Sequence, residues 1–322
     1  MIRTFGSRFS GRIIAFVQQK NALGFSYKGS EAILQEFDRF CSKRFQDESS
    51  LTKELCLAWA VRRNTEQSNS FRNRLSPIRE FAKYLHRLGE PAFVIPANFA
   101  RKGHRPVPYI YTEDEIAAIW NIFDQIKPRG GFPVRHLVFP AAVRLLYCCG
   151  LRPVEARKLK ACDVNLNVGK LYIRESKGHR DRVVMLADDV LEYFVTYDKR
   201  MSRLLPKREW FFPNSVDTFY PKDWFKKVFR IVRIKLGWAP SGPKAPRIYD
   251  FRHTFATHRL YRWLREGKDL TAMLPYLSAY MGHAQLSDTY YYIHLVPGQL
   301  EAMSGLDFSK YESLLPEVES DE

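Results

Sequence analysis

The sequence predicts a mainly α-helical protein with a small β-sheet, divided into an N-terminal helical bundle and a larger α+β domain. Apolar residues recur at helical spacing through the first 90 residues. Prolines and basic residues then interrupt this pattern over 90–108, as is typical of an interdomain linker. Beyond the linker, two short β-like runs lie among further helical segments, and 322 residues suffice for two domains.

The N-terminal bundle is expected to contain four helices. Its clearest apolar stripe is Leu75, Ile78, Phe81 and Leu85, at spacings of three and four residues. Pro77 falls within that stripe, so the helix either kinks there or starts afresh with the proline in its first turn. The four helices are predicted near 10–23, 29–45, 52–64 and 68–88.

Basic side chains cover the remaining faces of this bundle and continue into the linker. Because lysine and arginine neutralise phosphates, we expect this surface to bind double-stranded DNA. The candidate DNA-binding residues are Arg72, Arg74, Arg79 and Lys83 in the fourth helix, Arg101 and Lys102 in the linker, and His179 and Arg180 in a later loop.

The second domain opens with a strong helix signal. Thr112 and Glu115 have capping-box spacing, which predicts a helix over 113–126. The runs 170–174 and 182–186 predict a β-hairpin joined by a basic loop. Further helices are expected at 139–149, with Pro140 in the first turn, and at 154–160, 187–203, 222–236, 250–265, 270–281 and 286–292.

Charge favours a polyanionic partner. The chain has 51 Lys and Arg against 35 Asp and Glu, a net charge of +16, and five of the acids lie in the last twelve residues. A basic surface of this size is typical of nucleic-acid-binding proteins. We therefore expect a helical DNA-binding domain at 1–97, a basic linker at 98–108, a second domain at 109–310 and an acidic tail at 311–322.

Several other classes of protein are excluded. No run of about 18 apolar residues could span a membrane, and the N-terminus lacks the apolar region of a secretory signal. The five cysteines include no C-x-x-C pair, which argues against a disulfide framework or a zinc ribbon. The sequence also offers no carboxylate cluster for two-metal chemistry, so we expect a cytoplasmic protein without a metal or cofactor.

Three short motifs carry the functional signal, although each alone is weak. The first is GLRPVE at 150–155, the second is YDFRH at 249–253, and the third is MGH at 281–283 with a tyrosine at 292. In this order and at these separations they resemble the tyrosine recombinase (phage integrase) family. The resemblance is strong over 112–297 and fainter over 30–96, where the bundle is similar to the family's core-binding domain.

This resemblance implies a set of functional residues. The nucleophile would be Tyr292, because it lies nine residues after the histidine of the Gly-His motif. Tyr290 and Tyr291 would then be packing residues, with Tyr291 the alternative nucleophile. The other residues implied are the catalytic Arg152, Lys177, Arg252 and His283, with Glu155 supporting the first arginine.

One position departs from the family pattern. Where the family usually has a histidine three residues before the second arginine, this chain has Tyr249. A tyrosine ordinarily titrates at about 10 and is a poor general base at neutral pH, but it can donate a hydrogen bond to a phosphate oxygen. We include Tyr249 among the catalytic residues on that basis and expect His253 to support the site.

The resemblance implies a chemistry without metal or ATP. Tyr292 would attack a DNA phosphodiester to form a 3′-phosphotyrosyl bond while the arginines stabilise the developing charge and Lys177 protonates the leaving oxygen. It also implies a C-shaped clamp around DNA and a homotetramer on paired sites, in which companion recombinases could take part. The expected function is site-specific recombination, such as integration or transposition of a mobile element.

Two alternatives remain open from the sequence. One is an accessory protein that binds DNA with the same fold but cleaves poorly, as the Tyr249 departure would allow. The other is a topoisomerase-like enzyme that relaxes DNA with the same tyrosine chemistry. The first would form no covalent adduct, and the second would need no paired sites.

Overall fold

The chain divides into two units, Met1–Arg105 and Pro106–Glu322. The computed structural model describes residues 5–103, 107–131, 133–174, 181–238 and 245–293. Within these ranges the protein is mainly helical with one three-stranded sheet, which confirms the predicted fold class. No helix there is long and apolar enough to cross a membrane. Lys177, His179, Arg180 and the acidic tail at 311–322 lie outside the described residues.

The first unit is a bundle of four helices with an aromatic core. Phe16 and Phe81 have ring centroids 5.7 Å apart, and Phe37 meets Trp59 edge-on at 5.3 Å. The fourth helix continues through the buried Pro77. The alternative in which a new helix starts at this proline is therefore wrong. The helices are α1 (Ser10–Ala22), α2 (Lys28–Arg44), α3 (Lys53–Trp59) and α4 (Ser68–Arg87), followed by a short 3-10 turn at Ala97–Phe99.

Arg74 ends α3 earlier than the sequence pattern suggests. Its guanidinium donates to the carbonyl oxygens of Trp59 and Val61, at 2.6 and 3.0 Å, just where α3 stops. It also forms two bonds to the Glu66 carboxylate, at 2.7 and 2.8 Å. Arg74 is therefore a buried residue that satisfies helix-terminal carbonyls. The prediction that it lies on the DNA-binding surface is wrong.

In its described residues the second unit joins eight helices to an antiparallel sheet of order β1-β2-β3. The first helix begins at the predicted capping box: the Thr112 hydroxyl accepts from the Glu115 amide, and the Glu115 carboxylate accepts from the Thr112 amide. The elements within the described ranges are α5 (Glu113–Asp124), α6 (Arg135–Cys148), α7 (Pro153–Arg157), β1 (Val164–Asn165), β2 (Lys170–Ile173), β3 (Arg182–Met185), α8 (Asp188–Leu204), α9 (Trp224–Lys235), α10 (Asp250–Arg265), α11 (Leu270–Met281) and α12 (Ser287–Tyr290).

The structure of this unit differs from the sequence predictions at two places, one a misplaced helix start and the other a strand that was not predicted. Helix α6 begins at Arg135, so Pro140 lies in its second turn rather than its first. Strand β1 was missed because two residues are too few to show an alternating pattern. The strand nevertheless extends the hairpin, since Val164 pairs with Leu171.

Helix α10 lies between two groups of buried apolar residues. Phe251, in its first turn, belongs to a large core with α5, α6, α8 and α9, while Phe255, one turn later, belongs to a smaller core with α11. A helix buried on two sides is held firmly, because apolar contacts fix its rotation about its own axis. The N-terminal turns of α10 carry the residues of the second motif.

Candidate active site

Two arginines from distant motifs converge on the same short segments of backbone. Arg252, on α10, is 1% exposed and donates to the carbonyl oxygens of Gly150 at 2.7 Å and Met281 at 2.6 Å. Arg152, immediately before α7, donates to the carbonyl oxygen of Gly282 at 2.9 Å. These bonds fix both guanidiniums without using up all of their donors.

Gly150 allows the turn before Arg152 to lie directly against Phe255 of α10. It has a φ of +58°, and a Cβ built at this position would lie 2.4 Å from Cδ1 of Phe255. Any side chain would therefore push against α10 as well as strain the backbone. The glycine of the first motif thus sets the turn that presents Arg152.

A buried carboxylate organises the first arginine. The side chain of Glu155 is 2% exposed, and its two oxygens accept from the Arg152 guanidinium at 2.7 Å and the Arg152 amide at 2.9 Å. They also accept two bonds from Arg182, at 3.0 and 2.8 Å. Burial raises the pKa of Glu155, but the bonds and charges of the two arginines outweigh it and bring the pKa to about 2. The carboxylate is therefore ionised at neutral pH.

Arg182 is a site residue that the sequence analysis missed. It is the first residue of β3, and its side chain, 8% exposed, also donates to the carbonyl oxygen of Tyr280 at 2.8 Å. A signal was available, because period-two alternation places Arg182 on the same face of the strand as the buried Val184. A charged residue on the core face of a strand requires a buried partner.

The third motif brings a histidine against a tyrosine. Gly282 ends α11 in the left-handed conformation, and the chain then turns back through α12. His283 forms a hydrogen bond between Nδ1 and the Thr289 hydroxyl at 2.7 Å, and its ring stacks on Tyr292 with centroids 5.9 Å apart. Thr289 was also missed, although it is fully buried one turn before Tyr292.

The His283 imidazole is neutral in this environment. Burial lowers its pKa first, and the positive charges of Arg252, Arg152 and Arg182 lower it further, to about 3. Arg252 remains charged at neutral pH, because burial and the charge of Arg152 lower its pKa only to about 10. The site therefore combines two fixed cations with an uncharged imidazole.

Tyr249 and His253 complete the cluster. Tyr249 precedes α10, is 41% exposed, and has its ring 5.2 Å from that of His253. The ring of His253 lies 5.5 Å from that of Tyr292, which is 3% exposed. Tyr291 packs beside Tyr292 at 5.9 Å. The structure thus brings together every predicted catalytic and supporting residue except Lys177, which is outside the described ranges.

The predicted DNA-binding residues of the first unit differ in their surroundings. Arg72, Arg101 and Lys102 are exposed. Lys83 is exposed but forms an ion pair with Glu80 at 3.0 Å. Arg79 is half-buried and donates to two backbone carbonyls, those of residues 95 and 96.

The site has the features of a phosphate-binding centre with a nucleophile. Fixed guanidiniums bind phosphate oxygens well, and a phenol beside them can form a covalent bond to phosphorus. Within the described part of the chain, no three His, Cys, Asp or Glu residues lie close enough to hold a metal ion. Together the helical fold and this arginine–histidine–tyrosine cluster define the class of the tyrosine recombinases.

Comparison with known proteins gives the family. Residues 110–298 match the phage integrase family, so the chain belongs to this family, as its motifs predicted. The predicted activity class, an enzyme that breaks and rejoins DNA, is thereby confirmed.

Relatives of known sequence cover most of the chain. A candidate integrase/recombinase of Sinorhizobium fredii, y4rB, is 28% identical over 94% of this chain and 98% of its own length. The tyrosine recombinase XerD of Staphylococcus epidermidis is 28% identical over 74% of this chain and 76% of its own length.

Solved structures agree on the fold. The XerH site-specific recombinase bound to a palindromic difH substrate has a TM-score of 0.64 at 20% identity, covering 88% of this chain and 80% of its own. The Tn1549 transposon integrase in complex with transposon right end DNA has a TM-score of 0.63 at 13% identity, covering 91% of this chain and 99% of its own. At these identities the likeness concerns the fold alone.

Proposed function

We propose that the chain is a site-specific DNA recombinase of the integrase or transposase type that acts through a covalent bond between DNA and Tyr292. The observation that best supports this is that one backbone turn binds both arginines and leads to the histidine that contacts the tyrosine. Arg152 and Arg252 both bind the backbone turn that leads to His283, and the His283 ring stacks on Tyr292.

The proposed reaction is a transesterification. The phenolic oxygen of Tyr292 attacks the scissile phosphorus and gives up its proton to water, the bond to the 5′-oxygen breaks, and the strand is left as a 3′-phosphotyrosyl ester. Lys177 donates the proton that the leaving 5′-oxygen requires. A free 5′-hydroxyl from the partner strand reverses the reaction, and because the ester retains the bond energy no ATP is needed.

The electrostatics of the site suit this reaction. Charge builds up on the non-bridging oxygens in the transition state, and fixed positive groups stabilise it most when they need not reorganise. Arg152 and Arg252 are both fixed by backbone carbonyls. The guanidinium of Arg252 also remains charged at neutral pH despite its burial. His283, being neutral, contributes a hydrogen bond rather than a third charge.

Tyr249 takes the place of the usual histidine in this proposal. Its ring lies beside His253 at the start of α10, and it is exposed enough for its hydroxyl to reach a bound phosphate. Its role is to donate a hydrogen bond, because a phenol is a weak base at neutral pH. Tyr249→His should therefore retain cleavage, whereas Tyr249→Phe should slow it.

The proposed partner is double-stranded DNA in the cytoplasm. The exposed Arg72, Arg101 and Lys102 and the loop residues His179 and Arg180 would contact phosphates, with Lys83 contributing once its pair with Glu80 opens. Four copies, with or without companion recombinases, would assemble on two sites. Support for DNA as the partner comes from two proteins of similar fold, XerH and the Tn1549 integrase, which were solved in complex with DNA.

A suicide-substrate assay tests the proposal. The substrates are nicked DNA duplexes that carry the candidate target sequence, for example the ends of the mobile element that surrounds the gene. They are incubated with wild type, Tyr292→Phe and the matched control Tyr291→Phe. A covalent protein–DNA adduct is expected with wild type and the control, and none with Tyr292→Phe. An adduct lost only in Tyr291→Phe would assign the nucleophile to Tyr291.

Binding, relaxation and strand-exchange measurements beside this assay separate the alternatives. Specific binding without an adduct in the wild type would favour an accessory DNA-binding protein. Adducts and relaxation on supercoiled DNA that lacks any specific site would favour a topoisomerase-like enzyme. Strand exchange between two paired sites is the outcome expected of a recombinase.

A further inference from the structure

Arg182 joins three elements that meet at the site. It belongs to β3, binds both oxygens of Glu155 on α7, and donates through Nε to the carbonyl oxygen of Tyr280 near the end of α11. All three bonds come from one side chain that is 8% exposed. Such a side chain has little freedom to move, because its bonds hold it to two other elements, two of them to Glu155 on α7 and one to Tyr280 on α11.

The contacts of Arg182 lead directly to Arg152. The Oε1 atom of Glu155 accepts from both Arg182 and Arg152, and the Oε2 atom accepts from Arg182 and from the amide of Arg152. Glu155 therefore separates two like charges while binding both. Without Arg182, the carboxylate would lose two of its four bonds and the constraint on its orientation.

The contacts of Arg182 also lead to the turn before His283. A Cβ built on Gly282 would lie 3.0 Å from Cδ of Arg182, so the arginine side chain packs directly against this turn. The carbonyl oxygen of Gly282 is the same one that accepts from Arg152. The hydrogen bond from Arg152 to Gly282 joins the first motif to the third. Arg182 contacts both of these motifs, through Glu155 and Gly282.

We propose that Arg182 is a positioning residue for the recombination reaction, one that holds Arg152 through Glu155 and packs against the turn before His283. This inference rests on the proposed function. It gives Arg182 no contact with DNA, so its removal should slow cleavage while DNA affinity is maintained.

The main test compares Arg182→Met with Arg182→Lys and with a control, Arg144→Met, in the full chain. Arg144 is a suitable control because it also forms a bidentate pair, with Asp124 at 2.8 and 2.6 Å, on α6 and away from the site residues. Cleavage of the suicide substrate is measured at saturating DNA, and the Kd is measured separately.

Arg182→Met should cleave about 100-fold more slowly, as expected when a reacting group is misplaced by about 1 Å. Arg182→Lys should lose less, because it keeps the charge but not the bidentate geometry. Arg144→Met should cleave like wild type, and all Kd values should stay within about threefold. Cleavage by Arg182→Met at the wild-type rate, or an equal loss in both methionine variants, would overturn the proposal. If Arg182→Met does not fold, Arg182→Lys against Arg144→Lys decides it in the same way.

A covalent adduct with the wild-type protein is the precondition of this comparison. No adduct in wild type would refute the proposed function itself, whatever the Arg182 variants do.

Discussion

Replacing Glu155 with glutamine should destabilise the second unit strongly and in a pH-dependent way. The pKa of this carboxyl is about 2 in the folded protein against an ordinary 4.5. Since one pKa unit corresponds to about 1.4 kcal/mol, ionised Glu155 contributes about 3 kcal/mol to the free energy of unfolding at pH 7. The side chain is 2% exposed, so solvent screening reduces this figure little.

The sign of the pH dependence follows from the lowered pKa. A group whose pKa is depressed by folding stabilises the protein above its unfolded pKa and loses that contribution as the pH falls towards its folded pKa. For Glu155 the window lies between about pH 4.5 and 2, and about 2 kcal/mol should be lost by pH 3. The difference between wild type and Glu155→Gln should therefore shrink on acidification.

Urea unfolding followed by circular dichroism at pH 7 and pH 3 measures this difference. The control is Glu209→Gln, which breaks an ion pair with Lys160 whose carboxylate is 55% exposed, and which should hardly shift the midpoint. The reasoning is refuted if Glu155→Gln shifts the midpoint no more than the control does. It is equally refuted if the gap from wild type is the same at both pH values.

Three further predictions concern separate parts of the chain. Gly150→Ala should lower the free energy of unfolding by more than the ~1 kcal/mol of a strained φ, because its Cβ would collide with Phe255, and the Tm should fall accordingly; an unchanged Tm contradicts this. Arg74→Met should lower the Tm by breaking the buried pair with Glu66, yet leave the salt dependence of DNA binding unchanged; a slope reduced by about one would instead mark a phosphate contact. The ring protons of His283 should show no titration by NMR between pH 8 and 5, because its pKa is about 3, and a midpoint near 6.5 would show that the site is hydrated.

Local signals explain why so many elements could be predicted from the sequence. The capping box at Thr112 fixed the start of α5, and the bounds of α10 and α11 agree with the predicted 250–265 and 270–281. Each depends on residues within one or two turns. The end of α3 was misjudged because Arg74, from another helix, binds the carbonyl at which α3 stops. The start of α6 was misjudged because no side-chain cap marks it in the sequence.

The candidate site shows the same division between local and long-range information. The motifs identified Arg152, Arg252, His283 and Tyr292, because their types and spacing are visible in the sequence. Spacing could not show that Arg252 binds carbonyls more than 100 and nearly 30 residues away, at the first residue of each of the other two motifs. Nor could it show that Arg182 shares a carboxylate with Arg152, since only the fold brings β3 beside α7.

The most direct test of the account is to identify the residue that becomes covalently bound to DNA. Wild-type protein trapped on a suicide substrate is digested with protease and nuclease, and the modified peptide is sequenced by mass spectrometry. The account predicts one nucleotide adduct, on the oxygen of Tyr292, linked to the 3′ end of the cleaved strand. An adduct on another residue, or a bond to the 5′ end, would contradict it.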